Sequence, residues 1–368
     1  MKSSKISPKI IISGGGTGGH IYPAIAIADE IKRRWPAADI LFVGALGKME
    51  MEKIPQVGYA IKGLPIAGIN RSRPLSNLGF PMKLLKSLRM ARQFIVDFQP
   101  DVVIGTGGFA SGPVLWEAAK MNIPVVIQEQ NSFPGITNKL LKNKAAAICV
   151  AYAGIDQFPK EKIQHTGNPI RSELFQNLAD TKSAKEKLGF NPELPLILSI
   201  GGSQGSRTLN QAWEKALLDI QEADVQLLWQ TGKLDFEKIN QNLPKNIDGI
   251  HWVEFIDDMQ TVFAAADVIV SRAGAMAISE LCLVGKPVVL VPFPYATEDH
   301  QTKNAMALVH ENAALMLTDE EVPEQLVKTI LDLVKNESQQ KTLAENIRKL
   351  GKPNATKEIV DILMQQIQ

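Results

Sequence analysis

"IISGGGTGGHIYPA", residues 11–24, decides how the chain is read. An apolar, strand-like run stops at Gly14, five of the six residues from Gly14 to Gly19 are glycine, and His20 follows where a helix begins. Glycines at a strand end permit a tight strand-to-helix turn and let a phosphate approach the helix N-terminus, so Gly14-x-Gly16-x-x-Gly19 has the form of a nucleotide loop. A nicotinamide or flavin site would also need an acid about 20 residues further on, at the end of the second strand. That strand ends "FVGALGK" and Asp39 stands at its start, which argues against a dinucleotide.

Outward from this loop, short β-branched runs alternate with amphipathic stretches. "KIIIS" (9–13), "DILFVG" (39–44), "DVVIG" (101–105), "PVVIQ" (124–128) and "AICVA" (147–151) read as strands, with a helix over Ala24–Trp35 between the first two. After "HTGNPIR" (165–171) the rhythm restarts with "LPLILSI" (194–200), "VQLLWQ" (225–230), "GIHWV" (249–253), "DVIVS" (267–271) and "PVVLVP" (287–292). Alternation of this kind builds parallel sheets covered on both faces. Two α/β, doubly wound, Rossmann-like domains are therefore expected, joined near Asn168–Pro169. The tail, with Asn354 as a possible cap and Ile359, Ile362, Leu363 and Ile367 on one face, reads as a terminal helix that must dock.

At 368 residues the chain exceeds one compact core. Lys and Arg total 40 against 39 Asp and Glu, so no global basic field points to nucleic acid. Cys149 and Cys282 each lie in an apolar segment, as buried reduced thiols do. No stretch reaches the ~18 apolar residues that span a bilayer. The expectation is a cytoplasmic protein with room for peripheral membrane contact. Residues 71–92, "RSRPLSNLGFPMKLLKSLRMAR", interleave Arg71, Arg73, Lys83, Lys86, Arg89 and Arg92 with Leu75, Leu78, Phe80, Leu84, Leu85 and Leu88 and contain no acid. This segment is either a core helix with a solvated basic face or a patch for anionic lipid.

Further glycine loops follow other strands: "IGTGGFASGP" (104–113) and "IGGSQGSRTLN" (200–210). In "VIVSRAGAMAISELCLVGKP", Glu280 sits in an otherwise small and apolar helix, either as a paired helix residue or as the acceptor for both hydroxyls of a ribose. "TEDHQTKNA" puts His300 and Gln301 at another helix start. No Asp-x-Asp and no metal-ligand spacing occurs, so the reading requires no metal and no cofactor. The charge of a departing diphosphate would fall to backbone N–H groups, a helix dipole and an Arg, with Arg171 as the candidate.

Taken together, "GGTGGHIYPA", "GTGGFASGP", "EQN", "TGNPIR", "GGSQGSRTLN", "FIDDM", "SRAGAMAISEL" and "EDHQTKNA" closely resemble the MurG transferases, glycosyltransferase family 28, in order from about residue 9 to 356. The resemblance implies a GT-B fold. It implies inverting transfer of N-acetylglucosamine from UDP-GlcNAc to the C4 hydroxyl of undecaprenyl-pyrophosphoryl-MurNAc-pentapeptide (lipid I). Residues 1–168 would hold the acceptor and meet an anionic membrane at its cytoplasmic face, with the helix 354–368 packing back on them. Residues 169–353 would hold the donor. Other cell-wall synthesis proteins are expected partners.

Carried over by motif, Ser203 and its glycines meet the diphosphate, Phe255 and Ile256 with the Arg272–Met276 loop, Ala275 and Met276 included, surround the uracil, Glu280 takes the ribose, and Gln301 with His300 reads the sugar. Thr17, Gly18, Gly19, Asn131 and Arg171 join the donor set, while Gly16, Thr106, Gly107 and Gly108 line the acceptor's pyrophosphate. His20, at the mouth of the interdomain cleft that this fold implies, is the first candidate for general base and Glu129 the second; a purely structural His20 also stands. One departure is clear: the family usually shows His-Glu-Gln-Asn where this chain has Gln128-Glu129-Gln130-Asn131. A UDP-GlcNAc 2-epimerase, or a non-catalytic sugar-nucleotide-binding scaffold, would use the same fold.

Overall fold

The computed structural model describes residues 7–68, 79–170, 175, 178–202 and 204–367. The chain divides into two compact units, Met1–Arg171 with Pro353–Gln368, and Ser172–Lys352. The division falls just past Asn168–Pro169, and the last helix belongs to the first unit.

In the first unit the strands are β1 (Lys9–Gly14), β2 (Asp39–Ala45), β3 (Ala60–Leu64), β4 (Val102–Gly107), β5 (Val125–Glu129), β6 (Ala147–Val150) and β7 (Ile163–His165). All pair in parallel in the order β3-β2-β1-β4-β5-β6-β7. Ile10, Ile11 and Ile12 are all fully buried, because a parallel strand covered on both faces has no wet side. The edge strands β3 and β7 are mostly half-buried or exposed, which is why their short sequences carry no continuous apolar run.

The helices of this unit are α1 (Gly18–Arg34), α2 (Glu50–Gln56), α3 (Phe80–Phe98), α4 (Ser111–Lys120) and α5 (Ile136–Leu141). The expected helix over Ala24–Trp35 thus begins six residues earlier, at Gly18. Gly18, Gly19 and Pro23 disguise its first turns in the sequence; α1 absorbs Pro23 in its second turn.

In the second unit β8 (Leu196–Ile200), β9 (Gln226–Gln230), β10 (Ile250–Val253), β11 (Val268–Ser271), β12 (Val288–Leu290) and β13 (Leu315–Met316) pair in parallel in the order β10-β9-β8-β11-β12-β13. Around them run α6 (Thr181–Lys187), α7 (Arg207–Glu222), α8 (Phe236–Asn242), α9 (Met259–Ala265), α10 (Ala275–Val284), α11 (His300–His310), α12 (Val322–Lys335) and α13 (Glu337–Lys349). The buried indoles of this core keep their N–H groups bonded: Trp213 donates to Ser199 Oγ at 2.8 Å and Trp229 to Asn210 Oδ1 at 2.9 Å.

The terminal helix α14 (Ala355–Gln365) packs on α1. Ile359, Val360 and Leu363 are fully buried against the cluster that holds Ile21, Ala24, Ile25 and Ala28. Each is worth about 1.5–3 kcal/mol relative to exposure. Arg34 also ties the two helices, through Asp361 Oδ1 at 2.5 Å and Lys357 O at 3.2 Å. Asn354 occupies the cap position, but its side chain makes no cap bond.

Both sheets share one consequence. Strand order reverses between β1 and β4 and again between β8 and β11, and an open α/β sheet offers its ligand crevice at the carboxyl ends of such a pair. The glycine loops after β1, β4 and β8 and the "RAGA" turn after β11 therefore flank the two switch points.

Candidate functional site

In the first unit the loops after β1 and β4 interlock through missing side chains. A Cβ on Gly14 would strike Thr106 Oγ1, and one on Gly108 would strike the carbonyl of Gly15. Gly107 and Gly108 also have φ of +98° and +81°, in the region that only glycine enters without strain. Thr106 is fully buried; its hydroxyl donates to His20 O at 2.8 Å and clamps the start of α1. Gly16, Thr17, Gly18, Gly19, His20, Thr106, Gly107 and Gly108 are thus brought together.

His20 lies in the first turn of α1, half-buried. Its Nδ1 is 2.9 Å from Thr106 O and 3.0 Å from Gln130 Oε1. A Cβ on Gly107 would come within 2.8 Å of that nitrogen, so the β4 loop forms the bed of the ring. The ring's other nitrogen, Nε2, has no hydrogen-bond partner among the described residues.

Two placements change what the sequence suggests. Glu129 points into the protein: Oε1 accepts from the N–H of Asn131 at 3.0 Å and from its side chain at 3.3 Å, and Oε2 from Gly135 N at 3.0 Å and Asn138 Nδ2 at 2.8 Å. Four donors fill the acceptor capacity of one carboxylate. Glu129 holds the 131–135 loop and has nothing left with which to take a substrate proton. Asn131 is part of that loop.

The second is Glu50, which sequence reasoning missed. It is fully buried at the start of α2, and its carboxylate accepts from Gly16 N and Ala45 N, each at 2.9 Å. The N–H of Gly16 is therefore already committed. An anion at this loop must use the α1 N-terminus instead, where Thr17 and Gly19 are exposed. The available signal was an acid beyond the end of β2, in "GKMEMEK", too far along to fit a dinucleotide pattern.

Arg171, at the end of the first unit's main segment, and Ser203, in the second unit, lie outside the described residues. The remaining donor candidates of the second unit follow β10 (Phe255, Ile256), β11 (Ala275, Met276, Glu280) and β12 (His300, Gln301). Arg272, straight after β11, is a strut. Its guanidinium donates to Ser206 Oγ at 2.6 Å, Val291 O at 3.2 Å, Pro292 O at 3.0 Å and Asp319 Oδ1 at 2.6 Å. Ser206 in turn caps α7 by accepting from Leu209 N. One side chain thus ties the loop after β8 to the loop after β12.

Gln230 does the same between the loop after β8 and the loop after β10. Nε2 donates to Gly202 O and Oε1 accepts from Ile256 N, both at 3.0 Å. Ile256 is buried while Phe255 is 54% exposed, so Phe255 is the one with a face to offer.

Gly274, extended, precedes α10, which opens with Ala275 and Met276 and carries Glu280 in its second turn. Glu280 is half-buried, and loss of hydration pushes its carboxyl up to about 7. No donor meets it among the described residues. Gln301 accepts from Phe293 N at 2.9 Å, which fixes the amide with its NH₂ turned the other way. Before His300, Glu298 and Asp299 both adopt positive φ, 56° and 53°, a costly pairing for non-glycine residues that sets the entry to α11. Both cysteines are buried, their thiols pushed up to about 12 by burial. Among the described residues no group of His, Cys, Asp and Glu is arranged to hold a metal ion.

Two Rossmann-ordered, all-parallel α/β units, each with glycine-rich loops at its switch point, define a GT-B architecture. The chain belongs to glycosyltransferase family 28: residues 10–150 match the glycosyltransferase family 28 N-terminal domain and residues 196–359 its C-terminal domain. It is 48% identical over 361 residues, 98% of each chain, to the UDP-N-acetylglucosamine--N-acetylmuramyl-(pentapeptide) pyrophosphoryl-undecaprenol N-acetylglucosamine transferase of Parabacteroides distasonis. It is 50% identical over 354 residues, 96% of each chain, to the protein of the same name from Christiangramia forsetii. The crystal structure of Acinetobacter baumannii MurG superposes with a TM-score of 0.79 at 27% identity, covering 97% of this chain and 99% of that one.

Proposed function

We propose that this protein transfers N-acetylglucosamine from UDP-GlcNAc to N-acetylmuramyl-(pentapeptide) pyrophosphoryl-undecaprenol. The observation that carries the reading is that both family 28 domains match in order and that near-full-length relatives at 48–50% identity bear this activity in their names. Family membership displaces the epimerase alternative. A non-catalytic scaffold would not need an imidazole held by two oxygens with its other nitrogen unpaired.

In the proposed step the acceptor hydroxyl gives its proton to His20 Nε2 while its oxygen bonds the anomeric carbon. The bond from that carbon to the diphosphate breaks, and its electron pair leaves with UDP. Glu280 accepts from the ribose hydroxyls, Phe255 and the start of α10 face the base, and Gln301 reads the sugar. His20→Ala is expected to lower kcat by about 10²–10⁴ with UDP affinity unchanged. Turnover within a few-fold of the parent would remove His20 from the chemistry.

A lipid-linked acceptor asks for a membrane-facing surface, and no helix among the described residues is long and apolar enough to cross a bilayer. The α3 face supplies a candidate for contact with anionic lipid. Residues 71–78 of the basic segment lie outside the described residues. In the remainder Leu84 and Leu88 turn partly inward, while Met82 (79% exposed), Leu85, Lys83, Lys86, Arg89 and Arg92 face outward. On the neighbouring α4 and α5, Trp116 with Lys120 and Lys144 against its ring, and Leu140, extend this mixture of apolar and basic groups. Reversing Lys83, Lys86 and Arg89 to Glu should abolish binding to anionic vesicles and spare UDP affinity. Undiminished vesicle binding would discard this surface.

A further inference from the structure

Behind His20 runs a file of buried carboxamides, and we propose that Gln130, itself aligned by Gln128 and Asn168, is a positioning residue that fixes His20 in the tautomer carrying its proton on Nδ1. Nothing in the family motif or the relatives' names assigns such a role, and in this chain the middle amide of the file, Gln128, stands where the sequence departs from the family pattern.

The orientation of each amide follows from the one before it. Asn168 Nδ2 donates to the main-chain carbonyl of Gln130 at 3.1 Å. A carbonyl only accepts, so the Asn168 amide is set, and its Oδ1 faces Gln128. Gln128 Nε2 donates to that oxygen at 3.0 Å, which turns Gln128 Oε1 toward Gln130. Gln130 Nε2 donates to Gln128 Oε1 and to Thr106 O, the latter at 2.7 Å. Only Gln130 Oε1 is then left for the imidazole, and it lies 3.0 Å from His20 Nδ1.

The second neighbour of Nδ1, Thr106 O at 2.9 Å, is also a pure acceptor. With oxygens on both sides, Nδ1 must hold the hydrogen, and in the neutral ring Nε2 must hold the lone pair. Reversing any one amide would set acceptor against acceptor in a region where Gln128, Gln130 and Asn168 are all buried. Gly107 makes room for the ring in this position: a Cβ there would come within 2.8 Å of Nδ1 and 2.9 Å of Cε1. The file therefore aims the base.

This rests on the proposed transfer only for what the lone pair does; the tautomer belongs to the ligand-free protein. The test is ¹⁵N NMR of the His20 ring in the full chain, assigned with His20→Gln, with kcat measured alongside. The parent should show the Nδ1–H form. Gln130→Met, similar in volume but without a polar acceptor, should shift the ring toward the Nε2–H form and lower kcat about 10-fold, short of the loss expected for removing the base itself, with UDP affinity unchanged. Gln128→Leu should weaken the Nδ1–H signature, and Gln128→His, which returns a ring nitrogen as acceptor at that place, should restore it. A parent ring in the Nε2–H form would overturn the proposal. So would a tautomer indifferent to Gln130→Met and Gln128→Leu. An Nδ1–H ring in a protein that transfers no sugar would instead refute the function and leave the positioning intact.

Discussion

Replacing Glu280 should improve the protein's stability and damage its donor binding at the same time. Burial without a donor holds the carboxyl near 7, against 4.5 for an ordinary glutamate. A raised carboxyl binds its proton more tightly folded than unfolded. Its contribution to stability is therefore fully present below the unfolded value and is lost as pH rises through about 7. At 1.36 kcal/mol per unit, the ionised group costs the fold at most about 3 kcal/mol above neutrality. Glu280→Gln, which has no charge to desolvate, should recover up to that amount at pH 8 and nothing at pH 4.

Ribose hydroxyls supply the donors that the carboxylate lacks. Glu280→Ala should accordingly lose charge-assisted bonds worth about 1.5–3 kcal/mol, roughly 10- to 150-fold in UDP affinity. Because only the ionised form accepts from both hydroxyls, parent affinity should weaken about 10-fold between pH 8 and pH 6. Denaturant unfolding at pH 4 and pH 8, with UDP calorimetry at pH 6 and pH 8, reads all of this. Parent-like UDP affinity in Glu280→Ala, or Glu280→Gln no more stable than the parent at pH 8, would refute the reasoning.

Arg272→Ala should cost on the order of 3 kcal/mol in denaturant unfolding, because it removes the counter-charge of Asp319, which keeps its bond from Thr208 Oγ1, and frees three loops at once; Arg272→Lys should recover only part of it, since an ammonium cannot reproduce the fork. Leu363→Ala should destabilise the first unit by about 2–5 kcal/mol by opening a cavity between α14 and α1, again measured by denaturant unfolding. Transfer activity should largely survive EDTA, as the described residues assemble no carboxylate or histidine cluster for a cation; complete loss restored only by Mg²⁺ or Mn²⁺ would contradict this.

The strands legible in the sequence are those buried on both faces, such as β1, β4, β8 and β11, where an unbroken apolar run has no other use. β3, β7 and β13 escaped because an edge strand, short and half-wet, looks like a loop. Glycine spacing located the loops but not what fills them. Glu50 meets Gly16 across 34 positions and Gln130 meets His20 across 110, and no periodicity announces contacts of that kind. Arg272 stood inside a recognised motif, yet its partners at 206, 291, 292 and 319 are gathered only by the sheet. Glu129 misled for the opposite reason: a motif carboxylate reads as reactive until its four donors are seen.

The most direct test is to incubate the purified protein with UDP-GlcNAc labelled in the sugar, first alone and then with undecaprenyl-pyrophosphoryl-MurNAc-pentapeptide in detergent or vesicles, and to resolve the products. The account predicts no change in the donor sugar alone and, with the acceptor, label in a lipid-linked disaccharide with a β linkage and one UDP released per sugar transferred. Conversion of UDP-GlcNAc to its C2 epimer without acceptor, or binding of UDP-GlcNAc with no label reaching the lipid, would contradict it.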